Sequence, residues 1–388
     1  MPSLLPHVDP QGLLEYSVVY TDRALNHMSV RFQGVMREIS AILKEAYAAR
    51  SAVVLPGSGS FGMEAVARQF AHDQRVMVLR NGWFSYRWSQ IFDADRIASA
   101  VTVIKARRLE SGAQAPFVPA PISEVVEAIR RDRPAVVFAP HVETSAGMIL
   151  PDDYLAAVGE AVREVGGLFV LDCIASGAMW VDMRALGVDV LVSAPQKGWS
   201  GSPCCAFVML SERARERIDA TTSSSFAIDL KKWLQVMEVY EGGSHVYHTT
   251  MPTDALVLTH AAMVETRERG FETLKKQQVE LGRAVRQLMQ AHGYPSVAGA
   301  GFEAPGVVVS YTDDPEMQSG KAFLSRGLQS ASGVPLMCDE GSDFRTFRLG
   351  LFGLEKLGQT ARALAPLEDA LRSIAASRVA AEPVRRTA

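Results

Sequence analysis

The stretch Leu191-Val-Ser-Ala-Pro-Gln-Lys-Gly-Trp-Ser-Gly-Ser-Pro-Cys204 brings a lysine to the end of an apolar run. Lys197 lies between the apolar segments Val188-Asp-Val-Leu-Val192 and Ala206-Phe-Val-Met-Leu210, and both patterns predict buried strands. Burial disfavours the charged ammonium, so a lysine at such a place has a lowered pKa and a nucleophilic amine. Schiff-base chemistry requires such an amine, whereas a lysine in a solvated surface loop would not supply one.

An acid follows the strand before this stretch. In Gly167-Leu-Phe-Val-Leu-Asp-Cys173 an all-apolar run ends at Asp172, which comes 25 residues before Lys197. Enzymes that use pyridoxal 5'-phosphate (PLP) place an acid on the pyridinium nitrogen and a lysine on the cofactor aldehyde. The two residues therefore point to PLP as the cofactor.

Apolar segments and helical patterns alternate through the first half of the chain. Strands are predicted at residues 52–55, 76–79, 100–104, 135–139 and 167–172, and helices at 63–70, 122–131 and 153–165. Continuous apolar strands separated by helices predict an α/β fold with a mostly parallel sheet that is covered on both faces. Ligands of such sheets bind at the carboxyl ends of the strands. The residues that follow strands at this edge include 57–60, Phe84, 141–145, Asp172 and Lys197.

A glycine-rich turn follows the first of these strands. Pro56-Gly-Ser-Gly-Ser-Phe-Gly62 precedes a helical pattern, so backbone N–H groups and the hydroxyls of Ser58 and Ser60 would face one anion. The three glycines also spell G-x-G-x-x-G. The next strand, however, runs into the aromatic cluster of residues 80–88 where a dinucleotide fold needs an acid, which argues against a nicotinamide-dependent dehydrogenase.

The length and composition of the chain limit the number of domains that it can form. With 388 residues and 48% hydrophobic content, the chain is long enough for two domains. We predict an N-terminal arm and helix at 1–50, a large PLP-binding domain at 51–255 and a small domain at 256–388. The small domain carries helical patterns up to 292 and at 319–329 and 355–377, with strands at 306–310 and 346–349.

Charge and targeting features favour small, soluble partners. The formal net charge of −3 gives no electrostatic reason to expect nucleic acid or an anionic membrane. The sequence has no apolar segment long enough to span a membrane, and Met1-Pro-Ser-Leu-Leu-Pro-His lacks the features of a signal peptide, so we expect a cytoplasmic protein. The four cysteines form no C-x-x-C pair, and His245 and His248 have no further ligands nearby, so no metal site is expected.

With these segments laid out, the chain resembles the class V aminotransferases among the fold type I PLP-dependent enzymes. The resemblance runs from about His27 to the last helix and is closest to the alanine:glyoxylate and serine:pyruvate aminotransferase branch. It implies a large domain with a mostly parallel sheet flanked by helices, a smaller α+β C-terminal domain, and a homodimer with shared active sites.

The resemblance also implies a role for each matching residue. Ser58-Gly-Ser-Phe-Gly-Met-Glu-Ala65 is similar to the family's phosphate turn, Asn81-Gly-Trp-Phe84 to the segment that covers the pyridine ring, and His141-Val-Glu-Thr-Ser-Ala-Gly147 to the run beside the 3'-hydroxyl. Phe347-Arg-Leu-Gly-Leu-Phe-Gly353 is similar to the strand whose arginine takes the substrate carboxylate. The cofactor residues implied are Ser58, Gly59, Ser60, Phe84, Thr144, Asp172, Gln196 and Lys197, with Tyr247 and Thr250 reaching the phosphate from the neighbouring subunit, and Arg348 on the substrate.

The chain departs from the family pattern near the substrate. Residues 11–20 stand where members carry a glycine-proline run, the segment at 105–117 is longer than usual, and Arg345 adds a second guanidinium just before Arg348. Residues three apart on a strand point to opposite faces, so Arg345 is an alternative rather than an obvious partner. These departures leave a larger or doubly anionic substrate open.

The expected function is transfer of an amino group from a small amino acid, of the alanine or serine type, to a 2-oxo acid such as glyoxylate or pyruvate, through a Schiff base at Lys197. An aminophosphonate or a dicarboxylic amino acid is the alternative donor. Two other classes stay open on the same fold: a PLP-dependent lyase or desulfurase, for which Cys338 would be the reactive thiol, and a PLP-binding protein without turnover.

Overall fold

A computed structural model describes residues 8–11 and 13–385 of the chain. The first seven residues, whose sequence lacks the features of a signal peptide, lie outside the described residues. Gly12, within the stretch that replaces the glycine-proline run, also lies outside them. No helix in the described part of the chain has both the length and the apolar character needed to cross a membrane.

The described residues form helices and strands that alternate through the first 210 residues. The helices are α1 Val30–Tyr47, α2 Gly59–Phe70, α3 Trp83–Ala94, α4 Ile122–Asp132, α5 Asp152–Glu164, α6 Glu212–Asp219, α7 Leu230–Glu241, α8 Thr253–Arg269, α9 Phe271–Ala291, α10 Pro315–Gln318, α11 Lys321–Leu324 and α12 Thr360–Arg385. The strands are β1 Ser51–Pro56, β2 Arg75–Arg80, β3 Ala100–Lys105, β4 Arg107–Arg108, β5 Phe117–Val118, β6 Val136–Pro140, β7 Val142–Glu143, β8 Met148–Ile149, β9 Leu168–Asp172, β10 Val190–Ser193, β11 Cys205–Leu210, β12 Val307–Tyr311, β13 Ala331–Ser332 and β14 Thr346–Gly350.

The central sheet has seven strands in the order β1-β11-β10-β9-β6-β2-β3. The pairs from β10 to β3 are all parallel, and β11 alone runs antiparallel to its neighbours β1 and β10. Strands β6, β9, β10 and β11 are buried along their whole length because helices cover both faces of the sheet. This confirms the predicted α/β fold with a mostly parallel sheet.

Helix α1 packs the N-terminal region onto this core. The side chain of Ser29 accepts a hydrogen bond from the amide of Phe32 and so caps the helix. Phe32, Met36 and Ile39, at spacings of three and four, are fully buried against the rest of the molecule. Burying one such side chain stabilises the fold by about 1.5–3 kcal/mol.

A second, three-stranded antiparallel sheet has the order β12-β14-β13. Arg286 on α9 ties this region to the loop that follows β7, because its guanidinium donates hydrogen bonds to the carbonyls of Gly147, Ala304 and Val307. Burial lowers the pKa of Arg286 to about 10. The strand β14, which carries Arg348, is thereby held near the carboxyl edge of the central sheet.

The structure differs from the sequence prediction at several helices. Helix α2 begins at Gly59 rather than at residue 63, and α3, α6 and α7 were not predicted. The predicted helix at 319–329 is interrupted, because the chain turns with positive φ at Gly320 and Gly327; only the short helix α11 forms within this span, and α10 ends just before it. The long helical pattern up to residue 292 divides at Gly270, which also has a positive φ.

Candidate active site

A pocket of about 110 Å³ lies at the carboxyl ends of the parallel strands. Eight residues singled out from the sequence line it together: Ser58, Gly59, Ser60, Phe84, Thr144, Asp172, Gln196 and Lys197. They come from five separate connections, after β1, β2, β6, β9 and β10. The parallel arrangement of the sheet brings these distant segments to one place, as the sequence predicted.

Lys197 is the half-buried amine of the pocket. Its nitrogen lies 5.9 Å from the centre of the Phe84 ring and 5.7 Å from the centre of the Phe352 ring. Burial lowers the pKa of the Lys197 amine; the carboxylate of Asp172 opposes this effect, and the cation of Arg348 adds to it. The neutral, nucleophilic form of the amine is therefore favoured relative to a lysine in water.

The loop that carries Lys197 is fixed by a close backbone contact. A Cβ atom on Gly198 would lie 2.2 Å from the carbonyl oxygen of Gly177, so a residue with a side chain cannot be accommodated there without a shift. The amide of Gly201 also donates to the carbonyl of Pro195, which closes the loop. The turn that carries the lysine is thus held by backbone contacts on both sides of Lys197.

Asp172 ends β9 between the strands β6 and β10 and is almost fully buried. Its Oδ1 accepts a hydrogen bond from the amide of Ile174 at 2.9 Å. Burial raises the pKa of Asp172 to about 6, although this hydrogen bond and the cation of Lys197 act in the opposite direction. A protonated ring nitrogen placed against this carboxylate would favour its charged form.

Helix α2 begins with Ser58 at its N-cap, followed by Gly59 and Ser60 in its first turn. Ser58 stands at the N-cap position, but its side chain makes no capping hydrogen bond. The first N–H groups of a helix have no partner within the helix, and together with the helix dipole they attract an anion. Two hydroxyls and these N–H groups suit a phosphate.

Arg87 was missed in the sequence analysis and lines the same pocket. Its Nη1 donates a hydrogen bond to the hydroxyl of Ser60 at 2.9 Å, and within the described residues its guanidinium forms no ion pair with a carboxylate. The signal was present as Phe84-Ser-Tyr-Arg87, since residues three apart on a helix share a face. It was overlooked because α3 itself was not predicted.

Thr144 provides a buried hydroxyl without a hydrogen-bond partner in the described structure. Buried polar groups are nearly always paired, so such an atom marks a place where a ligand would complete the hydrogen bonding. The polar groups of the pocket match the groups of PLP one by one: an anion site for the phosphate, a carboxylate for the pyridine nitrogen, a free hydroxyl beside the ring and an amine of lowered pKa for the aldehyde. The residues present therefore fit this cofactor.

Arg348 lies on β14 above the pocket. Its guanidinium carbon is 5.5 Å from the centre of the Phe84 ring, and its Nε donates to the carbonyl of Ser332 at 2.8 Å. Partial burial lowers the pKa of Arg348, as for any cation withdrawn from water. Arg345, the alternative guanidinium, is exposed and lies just before β14.

Tyr247 and Thr250 are not brought into the pocket of their own chain. Both are exposed, and their hydroxyl oxygens lie 3.0 Å apart in a hydrogen bond to each other. His248 contacts the carbonyl of Phe226 through its Nε2, and His245 is exposed. Among the described residues, no group of three or more histidine, cysteine, aspartate or glutamate side chains is arranged to hold a metal ion.

Cys338 has the surroundings of an unreactive thiol. It is 5% exposed, its Sγ donates to the carbonyl of Arg80 at 3.3 Å, and burial raises its pKa to about 12. A sulfur-transfer cysteine needs an accessible thiolate, which this environment disfavours.

The family model described as "Aminotransferase class-V" matches residues 11–324. Several curated relatives resemble the chain over most of their length. The small subunit of a soluble hydrogenase from a Synechococcus strain is 26% identical and covers 85% of this chain and 83% of its own. A 2-aminoethylphosphonate–pyruvate transaminase from Burkholderia ambifaria is 28% identical, with 85% of each chain covered. Alanine–glyoxylate aminotransferase 1 from Saccharomyces cerevisiae is 27% identical and covers 78% of this chain and 79% of its own.

Among solved structures, an alanine–glyoxylate aminotransferase from Nostoc sp. superposes with a TM-score of 0.76. It is 21% identical in sequence, and the match covers 90% of this chain and 88% of that one. At this identity the likeness concerns the fold alone.

Proposed function

The chain belongs to the class V aminotransferases, which are PLP-dependent enzymes, and we propose that it transfers the amino group of a small amino acid to a 2-oxo acid at the pocket around Lys197. The observation that carries this proposal is the convergence of a lysine with a lowered pKa, a buried acid and a half-buried arginine on one edge of the sheet. The lysine and the acid suit the cofactor, and the arginine suits a substrate carboxylate.

Bound PLP supplies an aldehyde that condenses with amines and a protonated ring that accepts electron density. Lys197 would hold the cofactor through its amine and, once the donor takes its place, would move the proton of the donor's α-carbon as a general acid and base. Asp172 would keep the ring nitrogen protonated. Ser58, Gly59 and Ser60 with Arg87 would bind the phosphate.

Three further side chains would orient the ring and the substrate. Phe84 would stack on one face of the pyridine ring, and the free hydroxyl of Thr144 would pair with the ring oxygen. Gln196, next to Lys197, lines the same pocket. Arg348 would bind the carboxylate of the donor and of the acceptor with two parallel N–H bonds.

The number of cations limits the substrate. Within the described residues, the cations in or beside the pocket are Lys197, Arg87 and Arg348. Lys197 would be attached to the cofactor and Arg87 would bind its phosphate, so Arg348 is the cation left for the substrate. A dicarboxylic donor would need a second guanidinium, and Arg345 is exposed. A single arginine suits a donor with one anionic group, such as alanine or serine.

An aminophosphonate is the second candidate donor. It carries an amine and one anionic group, so Arg348 could bind its phosphonate in the same way as the carboxylate of a monocarboxylic amino acid. The relative from Burkholderia ambifaria, named as a 2-aminoethylphosphonate–pyruvate transaminase, is the observation that favours it.

We also propose a homodimer in which each chain completes the other's site. Tyr247 is 51% exposed and does not line the pocket of its own chain, and large apolar side chains are exposed on the same chain, among them Tyr16, Phe61 and Phe226 at 86%, 51% and 75%. Aromatic side chains are enriched at protein–protein interfaces relative to the rest of the surface. A two-fold axis would let Tyr247 and Thr250 serve the partner's phosphate while the partner returns the contact.

The first test is chemical. Borohydride reduction of the PLP-loaded enzyme should fix the cofactor on Lys197, and Lys197→Ala should lose the label whereas the exposed control Lys232→Ala keeps it. A label on another lysine would refute the assignment. A panel of amino acids and aminophosphonates, each tested for converting the bound cofactor to its pyridoxamine form, then identifies the donor. Conversion by alanine or serine supports the first candidate, and conversion by 2-aminoethylphosphonate alone supports the second.

A further inference from the structure

Glu143 is a fully buried carboxylate with no cationic partner in the described residues. It lies at the end of β7 and does not line the pocket itself. Burying an ion is costly unless hydrogen bonds replace its water, so its surroundings must stabilise the charge.

Five hydrogen bonds do so. Oε1 accepts from the amide of Phe84 at 3.2 Å and from the amide and hydroxyl of Ser145 at 3.0 and 2.7 Å. Oε2 accepts from the amide and hydroxyl of Ser85 at 2.9 and 2.7 Å. The carboxylate thus caps the first turn of α3, where the N–H groups have no helical partner.

The same network fixes the other side of the pocket. The hydroxyl of Ser145 accepts a hydrogen bond from the amide of Trp83 at 2.9 Å, so the backbone on both sides of Thr144 is joined to the start of α3. The contact leaves no spare room: a Cβ atom on Gly82 would lie 2.0 Å from the Ser145 hydroxyl and 2.7 Å from Glu143. One carboxylate therefore joins the segment that carries Phe84 to the turn that carries Thr144.

We infer that Glu143 is a positioning residue, which sets the Phe84 ring and the Thr144 hydroxyl in one fixed relationship and so determines how the cofactor ring lies in the pocket. The inference rests on the proposed function, because it needs Phe84 and Thr144 to face PLP. Glu143 touches neither the cofactor site nor the substrate arginine directly. Its positioning effect passes through the backbone of residues 83–85 and 144–145.

The charge of Glu143 gives a second, independent signature. Among the charged groups around Lys197, Asp172 and Glu143 raise the pKa of its amine, and Arg348 and Arg87 lower it. A carboxylate also favours a protonated nitrogen on Lys197 when the cofactor is attached, so Glu143→Gln should lower the pH at which the absorbance of the bound cofactor changes. A residue that only stabilised the fold elsewhere would leave this midpoint in place.

The test compares Glu143→Gln with Asp189→Asn in the PLP-loaded enzyme. The amide of glutamine must direct an NH2 donor at N–H and O–H donors, so the network cannot be kept. Asp189 is a control at a distance: it is also a buried acid and accepts from Phe169 and Ser211, but it is paired with Arg213 and precedes β10, at the opposite end of that strand from the pocket. We expect Glu143→Gln to change the visible circular dichroism of the bound cofactor, to weaken PLP binding about tenfold or more, and to shift the absorbance midpoint to lower pH. Asp189→Asn should lower the melting temperature and leave these three readouts unchanged.

A second variant covers the case in which Glu143→Gln does not fold. Ser145→Ala keeps the carboxylate and removes one hydroxyl, and it should change the circular dichroism in the same direction to a smaller extent. If both variants bind PLP with wild-type affinity and an unchanged spectrum, the inference is wrong even though the proposed function stands. If the wild-type enzyme itself forms no reducible link at Lys197, the proposed function fails first.

Discussion

The guanidinium carbon of Arg87 lies 5.3 Å from the centre of the Phe84 ring, three residues earlier on the same face of α3. One helix therefore brings both an aromatic face and a cation to the pocket. The cation extends toward Ser60, at the entrance of α2, while the ring lies below Arg348. Under the proposed function, the phosphate end of the site would be at Ser60 and the substrate end at Arg348.

Arg87→Gln should weaken binding of PLP and leave binding of pyridoxal, which lacks the phosphate, nearly unchanged. A hydrogen bond to a charged group contributes about 1.5–3 kcal/mol, so the dissociation constant for PLP should rise about tenfold to a hundredfold. Cofactor titration followed by absorbance measures both constants. Arg96→Gln, an exposed arginine just beyond α3, is the control. An equal loss of affinity for PLP and pyridoxal would assign Arg87 to the structure of the helix instead.

Much of this site could be predicted because strand ends in a parallel sheet meet at one edge. Apolar runs ending at Asp172 and shortly before Lys197 are visible without a structure, and the sheet register then brings them together. The glycine turn at residues 57–60 was recognised for the same reason.

The helical segments that the sequence did not predict, α3 and the first turn of α2, bury polar or small residues instead of an apolar face. Helix α3 buries Ser85 and Ser89 together with Trp88 and Phe92, so half of its inner face carries no hydrophobic signal. The two serines can be buried because the Ser85 hydroxyl donates to Glu143 and the Ser89 hydroxyl accepts from Arg80. These partners come from other segments of the chain, so a local sequence pattern cannot reveal them. The start of α2 was placed late because its first turn consists of glycine and serine, which favour loops on intrinsic propensity.

Asp172→Asn should shift the pH dependence of cofactor attachment toward acid. The neutral amine of Lys197 is the reactive form, and the carboxylate of Asp172 raises the pKa of that amine. Without this charge the amine loses its proton at a lower pH, so the midpoint of the attachment rate should move down. Stopped-flow absorbance on mixing with PLP, normalised to the alkaline plateau, measures the midpoint. A shift toward alkali would contradict the geometry, whatever the effect on overall affinity.

Arg348→Ala should raise the half-saturation concentrations of the amino donor and of the 2-oxo acid together. A two-pronged contact with a carboxylate at a half-buried site contributes about 2–4 kcal/mol, which corresponds to an increase of about 30-fold to 1000-fold. Bound PLP should stay at the wild-type level because Arg348 does not line the cofactor pocket. Steady-state kinetics with both substrates measures the effect, and Arg345→Ala should behave as wild type. If Arg345→Ala shows the large effect instead, the carboxylate binds elsewhere.

The last prediction concerns the sharing of the two active sites. Mixing a Lys197→Ala chain with a chain carrying Tyr247→Phe and Thr250→Ala should give a mixed dimer with about half of the wild-type activity. If Tyr247 and Thr250 serve the partner's phosphate, the chain without these hydroxyls faces the site without the lysine, so both defects fall in one site and the other is intact. Isolation of the mixed dimer through two different affinity tags, followed by an activity assay, measures the outcome.

The reciprocal mixture makes the result decisive. In the reciprocal mixture, one chain carries all three substitutions and the other chain is wild type. If the sites are shared, one site lacks the lysine and the other lacks the donated hydroxyls, so the mixed dimer should have low activity. Sites contained within single chains predict the reverse for both mixtures, since the triple variant would then leave its wild-type partner fully active. The exposed hydrogen-bonded pair of Tyr247 and Thr250, outside the pocket of its own chain, favours the shared arrangement, because neither hydroxyl has a role at the phosphate unless a second chain brings it there.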